Sequence, residues 1–146
     1  MENSNFAYSL KTERVREKDF PYNGEKLTCT TDLLSFVKKL QSADVEKMII
    51  LYLDNQNSLI GIQVMTGTIN SAVVYPREVI KHALLSMASA IILVHNHPSN
   101  VVRPSDADIR LTNTIKETCE SLDILVHDHV IVGETTFFSF REEGLM

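Results

Sequence analysis

Two histidines and an aspartate in the stretch "VHNHPSNVVRPSDAD" have the residue types and the spacing of a metal site. His95 and His97 stand one residue apart, and Asp108 follows eleven residues after His97. In an extended backbone, residues two apart point to the same side, so both imidazoles can face one ion. Asp108 would add a carboxylate oxygen from the first turn of a helix. Two nitrogens and one oxygen leave the fourth position of a zinc tetrahedron open for water, as in catalytic zinc sites.

Two alternatives to a zinc site fit the same stretch. Histidines in a polar loop are often exposed or structural, and Ser105, three residues before Asp108, resembles the capping box of a helix N-terminus. Two histidines and one carboxylate also describe the facial triad of non-haem iron oxygenases. The residues alone therefore leave three interpretations open: a zinc site, an iron site, or a capped helix behind a polar loop.

The remaining histidines are predicted to be core or surface residues. His127 and His129, in "LVHDHVIV", are expected to share one face of a strand, with Asp128 on the other face. No carboxylate stands at a suitable offset from this pair. His82 lies within a predicted helix, where a structural or exposed position is expected.

Hydrophobic periodicity predicts the elements that must position these side chains. The unbroken apolar run in "ASAIILVH" predicts a strand buried on both faces, which ends at the first histidine. A long helix is predicted from Ser105 to about Leu122, with apolar residues at helical spacing. The strand "ILVHDHVIV", a turn at Gly133 and Glu134, and a last strand "TFFSF" follow.

Upstream of these elements, the chain alternates strands and helices. A helix is expected to begin near Thr31, and "MIILYLD" and "SLIGIQVMTG" flank the turn "NQN" as a pair of strands. "SAVVY" predicts a further short strand, and Pro76 begins a helix that runs to about Met87. Residues 1–30 form an N-terminal extension with a candidate edge strand at Phe6–Leu10. The order β–β–β–α–β–α–β–β predicts an α/β domain with a mixed sheet between helices.

Composition and charge limit the class of protein. The 146 residues are about one domain's worth of chain, and a net charge of −5 argues against direct binding of nucleic-acid phosphates. Cys29 and Cys119 match no zinc or redox spacing, and Cys119 fits a small buried apolar position. The N-terminus lacks the features of a secretion signal, and no apolar run approaches the roughly 20 residues that span a bilayer. We therefore expect a cytoplasmic protein without a membrane partner.

Several blocks of the sequence resemble a known family. "HNHPS" followed by "PSDAD" resembles the His-x-His-Pro…Ser-x-x-Asp signature of JAMM metalloproteases of the MPN/JAB type. "GTINSAVVYPREVIKHAL", "AIILVHNHPS", "DIRLT" and "DHVIVG" resemble the RadC branch in particular, over roughly residues 31–143. The resemblance implies a single MPN/JAB-like α/β domain over residues 31–146, with a mixed sheet packed against helices as in cytidine deaminases.

The resemblance also implies a role for each site residue. By position, His95, His97 and Asp108 would be the Zn²⁺ ligands, and Ser105 would hydrogen-bond the water or the developing oxyanion. Glu46, eight residues before the end of "LYLD", best matches the general base of the family. The implied function is zinc-dependent hydrolysis of a peptide or isopeptide bond in a peptide or protein substrate. The alternative is an accessory domain in DNA repair or mobile-element DNA metabolism, without peptidase activity.

The sequence departs from the family pattern at three places. RadC-like proteins carry a helix-hairpin-helix region before this domain, and about thirty residues are too few for one, so we expect a stand-alone domain that does not bind duplex DNA directly. Asn100 stands where the family usually has Gly, and the turn is expected to persist because Asn tolerates a left-handed backbone. Val101 and Val102 replace a more polar stretch and are hypothesised to contact substrate or a second subunit.

Overall fold

A five-stranded mixed sheet forms the centre of the computed structural model, which describes residues 22, 24, 26–67 and 74–146. The helices and strands of the described residues, in chain order, are α1 (Thr30–Phe36), α2 (Lys38–Gln41), β1 (Lys47–Leu53), β2 (Leu59–Thr66), α3 (Pro76–Ser86), β3 (Ala90–Asn96), α4 (Asp106–Glu120), β4 (Leu125–Val132) and β5 (Phe137–Ser139).

The strand order is β2-β1-β3-β4-β5, so β3 is the central strand. β1 runs antiparallel to both β2 and β3, β3 runs parallel to β4, and β4 runs antiparallel to β5. All seven residues of β3 are buried. The apolar run that predicted a strand buried on both faces is thereby explained, because helices cover both faces of the sheet.

Two apolar clusters, one on each face, hold the sheet between its helices. On one face, Leu33 of α1, Val37 between the two helices and Leu40 of α2 pack with alternate residues of β1, β3 and β4. On the other face, Val79 and Ala83 of α3 and Ile115 and Cys119 of α4 pack with the intervening residues of β1 and β3. The α/β class and the mixed sheet between helices are confirmed, and Cys119 is a buried apolar residue as predicted.

Most predicted elements are present near their predicted bounds. The strand pair around "NQN" forms β1 and β2, Pro76 is the first residue of α3, and Ser105 is the N-cap of α4. The helix expected near Thr31 is divided in two, because Val37 has φ −94° and ψ 16° and ends α1 before α2 begins. The candidate strand in "SAVVY" covers residues 71–75, of which 71–73 lie outside the described residues. The remaining two residues, Val74 and Tyr75, belong to no strand. The candidate edge strand at Phe6–Leu10 lies wholly outside the described residues.

The prediction that His127 and His129 share a face of β4 was wrong. The register between β3 and β4 shifts between Ile91 and Ile92, which pair with Val126 and Asp128. His127 is therefore the extra residue of a β-bulge, and the alternation of side chains changes there. His127 and Asp128 both line a cavity beside α1, whereas His129 faces α4.

No helix within residues 26–67 and 74–146 is long and apolar enough to cross a membrane.

Candidate metal centre

His95, His97 and Asp108 come together at the end of the central strand. Their ligand atoms all lie within 4.8 Å of one another, so the group could hold a metal ion. The Nε2 atoms of His95 and His97 are 2.9 Å apart. Asp108 Oδ1 lies 3.3 Å from Nε2 of His95, and Asp108 Oδ2 lies 3.6 Å from Nε2 of His97. The side chain of His95 is fully buried, while those of His97 and Asp108 are partly exposed, so the centre opens to solvent on their side.

The first turn of α4 fixes the orientation of the Asp108 carboxylate. Ser105 Oγ accepts a hydrogen bond from the backbone N–H of Asp108 at 3.1 Å, which is the capping box expected from the sequence. The Ser105 hydroxyl and the Ser105 backbone N–H both donate to Asp108 Oδ2, at 2.7 Å each. These two bonds hold Oδ2 against the helix cap and leave Oδ1 directed toward His95.

The charges at this centre suit the binding of a cation. Burial alone would raise the pKa of Asp108, but the two nearby imidazoles of His97 and His95 and the hydrogen bonds from Ser105 hold that pKa far below its usual range. Burial lowers the pKa of His95 to about 4, so this imidazole is neutral at pH 7. The nearby carboxylate of Asp108 raises the pKa of His97 despite the partial burial of the imidazole. Asp108 and His95 are thus in the states that metal ligation requires, an ionised carboxylate and a neutral imidazole, whereas His97 would give up its proton when a metal ion binds.

The loop after β3 presents the other histidine in a ligating tautomer. Nδ1 of His97 lies 2.6 Å from the carbonyl oxygen of Val101. A carbonyl oxygen can only accept, so Nδ1 carries a hydrogen and Nε2 is the nitrogen directed into the centre. When Nε2 is protonated it faces the Asp108 carboxylate, and when it has lost that proton it can bind a metal ion. Asn100 has φ 61° in this loop, and the left-handed turn expected from Asn is present. Val101 is exposed and Val102 is half-buried.

Glu46 lies beside His97, directly before β1. Met48 pairs with His95 across the antiparallel strands, so the position two residues before Met48 is next to His97. Glu46 is half-buried, and its charge contributes to the raised pKa of His97.

The residue between the two histidines attaches the Glu46 segment to the central strand. The side-chain oxygen of Asn96 accepts from the backbone N–H of Lys47 at 2.7 Å. Its amide group donates to the carbonyl oxygens of Ala43 and Val45, at 3.2 Å and 3.0 Å. Asn96 is buried, so these three bonds are shielded from water and hold the segment in place.

Two residues behind His95, on the side away from the metal-binding nitrogen, were not identified from the sequence. Nε2 of His129 lies 2.8 Å from Nδ1 of His95, and Nδ1 of His129 lies 2.6 Å from Oγ1 of Thr112. His129 was expected to be a core or surface residue, and it is fully buried. The contact depends on the parallel pairing of β3 with β4, and no local pattern in the sequence indicates that pairing.

The other two histidines lie away from the centre. His127 faces the opposite side of the sheet, where its Nε2 is 2.8 Å from Oδ1 of Asn57. His82 is half-buried on α3, and its Nδ1 is 2.7 Å from the carbonyl oxygen of Glu78. Both positions agree with the structural roles expected from the sequence.

The chain is similar to proteins of one family over most of its length. The family model described as RadC-like JAB domain matches residues 27–145. A UPF0758 protein of Alteromonas mediterranea is 52% identical over 109 residues, which are 74% of this chain and 48% of that protein. A UPF0758 protein of Histophilus somni is 43% identical over 139 residues, which are 94% of this chain and 63% of that protein.

A third relative, a UPF0758 protein of Pseudoalteromonas translucida, is 48% identical over 109 residues, or 74% of this chain and 49% of that protein. The chain thus spans between 48% and 63% of the length of these three relatives. The match of the family model to nearly the whole described chain, together with these identities, shows that the chain belongs to the RadC-like JAB domain family.

Proposed function

We propose that this protein is a zinc-dependent hydrolase of the JAMM type, which cleaves a peptide or isopeptide bond. The observation that supports this most directly is the convergence of two imidazole nitrogens and one carboxylate oxygen at the end of β3. This donor set with an open fourth position is that of catalytic zinc sites. When bound, zinc would supply Lewis-acid activation of a water molecule and of the scissile carbonyl.

The ligand atoms of the proposal are Nε2 of His95, Nε2 of His97 and Oδ1 of Asp108. The other carboxylate oxygen of Asp108 is already engaged by the Ser105 cap. Glu46, beside His97, takes a proton from the attacking water and passes it to the leaving amine.

Ser105 is exposed at the open side of the centre and donates a hydrogen bond to the oxyanion that develops on the substrate. Its hydroxyl must rotate away from Asp108 Oδ2 to do so. The backbone N–H of Ser105 keeps that oxygen in place when the hydroxyl turns.

Metal content is the first test of the proposal. Elemental analysis of wild-type protein supplied with zinc is expected to give about one zinc per chain, and the His95→Ala/His97→Ala double variant is expected to lose it. His127→Ala is the matched control, because this histidine lies on the opposite face of the sheet. Wild-type protein that takes up no zinc would refute the proposal, and iron in place of zinc with oxygen-dependent turnover would favour a facial-triad enzyme.

Hydrolysis is tested separately with Glu46→Gln. This variant keeps all three ligands, so it should bind zinc as tightly as the wild type but lose turnover. Fluorogenic peptides and lysine-linked isopeptides represent the two substrate classes. Loss of 100-fold or more in kcat is expected if Glu46 is the general base, since such groups contribute about 10²–10⁴-fold. Turnover that is unchanged in Glu46→Gln would contradict the assigned role.

A further inference from the structure

We propose that Thr112 and His129 form a hydrogen-bond relay that fixes the tautomer of His95, so that the lone pair of its Nε2 faces the metal. The proposal rests on the metal-binding role of His95 in the function proposed above. Both relay residues are positioning residues, because neither reaches the centre itself. Thr112 lies on α4 and His129 on β4, and both are fully buried.

The relay starts at a carbonyl group, which fixes its direction. Thr112 Oγ1 lies 2.7 Å from the backbone carbonyl oxygen of Asp108 and 2.6 Å from Nδ1 of His129. The carbonyl can only accept, and the Thr112 hydroxyl has a single hydrogen. Two oxygens at 2.7 Å without a hydrogen between them would repel each other. The hydroxyl therefore donates to the carbonyl, and Nδ1 of His129 donates to the hydroxyl oxygen.

The direction of the remaining hydrogen bonds follows from this first one. A neutral imidazole has one N–H and one acceptor nitrogen, so Nε2 of His129 must accept. Its partner is Nδ1 of His95, at 2.8 Å, which must therefore carry a hydrogen. Nε2 of His95 is then unprotonated, and its lone pair is directed at Nε2 of His97 and at Asp108.

The relay also suits the centre to the binding of a cation. The carbonyl group of Val101 directs Nε2 of His97 into the centre, and the relay directs the lone pair of His95 Nε2 to the same place, 2.9 Å away. Once His97 Nε2 has lost its proton, two lone pairs and a carboxylate lie at such distances and repel one another unless a metal ion lies between them. In metalloproteins, the group that accepts from the second nitrogen of a ligating histidine commonly fixes its tautomer and raises its basicity.

Stacking holds the middle ring of the relay in orientation. The His129 ring lies 4.7 Å from the Phe140 ring, with 11° between their planes. This contact restricts rotation of the imidazole about its own axis, so its two nitrogens stay aligned with Thr112 on one side and His95 on the other. The relay is therefore set by packing as well as by hydrogen bonds.

Zinc affinity of Thr112 variants tests the relay. Thr112→Val keeps the shape of the side chain but removes the hydroxyl, so His129 loses the acceptor that fixes its tautomer. Competition with a chromophoric chelator is expected to show zinc binding about 10–100-fold weaker than in the wild type. Thr112→Ser should restore affinity to within a few-fold. Thr114→Val is the matched control, because the exposed Thr114 hydroxyl only donates to a carbonyl of its own helix.

The tautomer itself can be observed without any metal. Imidazole ¹⁵N chemical shifts of the metal-free wild type at pH 8 should show a hydrogen on Nδ1 of His95 and none on Nε2, and Thr112→Val should show a mixture. A hydrogen on Nε2 of His95 in the wild type would overturn the relay. So would a Thr112→Val variant with unchanged zinc affinity. If the wild type binds no zinc, the proposed function fails, while the ¹⁵N shifts still decide whether the relay exists.

Discussion

Substitution of Gly133 by alanine tests the contact that holds the loop between β3 and α4 against the end of β4. A methyl group at Gly133 would overlap Oδ1 of Asn100 and would approach Cγ1 of Val102 to 3.0 Å. Gly133 is not among the glycines with positive φ, so the backbone itself accepts alanine. Asn100 Oδ1 accepts from the backbone N–H of Glu134 at 2.7 Å, so the side chain cannot move aside without losing that bond.

The expected cost can be worked out from these contacts. Loss of the Asn100–Glu134 bond costs about 1 kcal/mol, and the shift of Val102 costs about 1.5 kcal/mol. Reduced entropy of the unfolded chain returns about 0.5 kcal/mol, which leaves a net loss of about 2 kcal/mol for Gly133→Ala. Asn100→Gly alone should be nearly neutral, since it loses the same bond but relieves a left-handed backbone.

The double variant separates this specific overlap from a general loss of packing. In an Asn100→Gly background the overlapping oxygen is absent and the bond is already lost, so Gly133→Ala should cost only about 1 kcal/mol. Urea unfolding of the four metal-free proteins, followed by circular dichroism, gives a coupling energy that should be about 1 kcal/mol. Costs that add to within about 0.3 kcal/mol would refute the reasoning, because residues that do not interact are additive.

Three further changes have outcomes that the structure specifies. Ser105→Ala removes the acceptor of the Asp108 N–H and should lower the free energy of unfolding, measured with urea, by about 1 kcal/mol. Ser105→Asn should retain most of the wild-type stability, because Asn is also a good N-cap. Equal losses in the two variants would contradict the capping role of Ser105. At pH 7, Asn96→Asp should lower the melting temperature more than Asn96→Ala does, because the new carboxylate would face two backbone carbonyl oxygens. The difference in melting temperature between the two variants should shrink in acid, where the carboxyl is protonated. Burial, aided by the charge of Glu142, raises the pKa of Asp128 in the folded protein above its value in the unfolded chain. The protonated Asp128 carboxyl therefore stabilises the fold fully below about pH 4, and this stabilisation is lost as the pH rises through the folded-state pKa. The free energy of unfolding of Asp128→Asn, measured between pH 4 and 7, should not show this decrease. Parallel pH profiles for the wild type and Asp128→Asn would contradict the raised pKa of Asp128.

The elements around the centre were predictable because their signals are local. The apolar run before His95 has no polar interruption, which only a strand covered on both faces requires. Ser105 and Asp108 specify a helix start through their own hydrogen bonds, and the spacing of the two histidines places both imidazoles on one side of an extended chain. The structure brings these side chains together as that spacing suggested.

Features that depend on pairing between distant segments were not predictable. The bulge at His127 is an extra residue of β4 relative to its partner β3. A prediction that side chains alternate regularly along β4 gives no indication of such a residue. The position of His129 behind His95 depends on the same pairing. The break at Val37 was likewise not predictable from the spacing of apolar residues, because the apolar residues before and after it contact the same cluster.

The three candidate ligands differ in how much of the fold must open before they are released. His95 belongs to β3, which is hydrogen-bonded to a strand on each side, so its backbone amide should exchange with deuterium only through openings close to complete unfolding. His97 belongs to the loop after that strand, and Asp108 to the first turn of α4, where much smaller openings suffice. An ion could therefore leave by movement of this loop while the strands stay paired. Treatment with a chelator should leave a folded protein with the protected amides of β3 intact, unlike small zinc domains that unfold when their metal is removed.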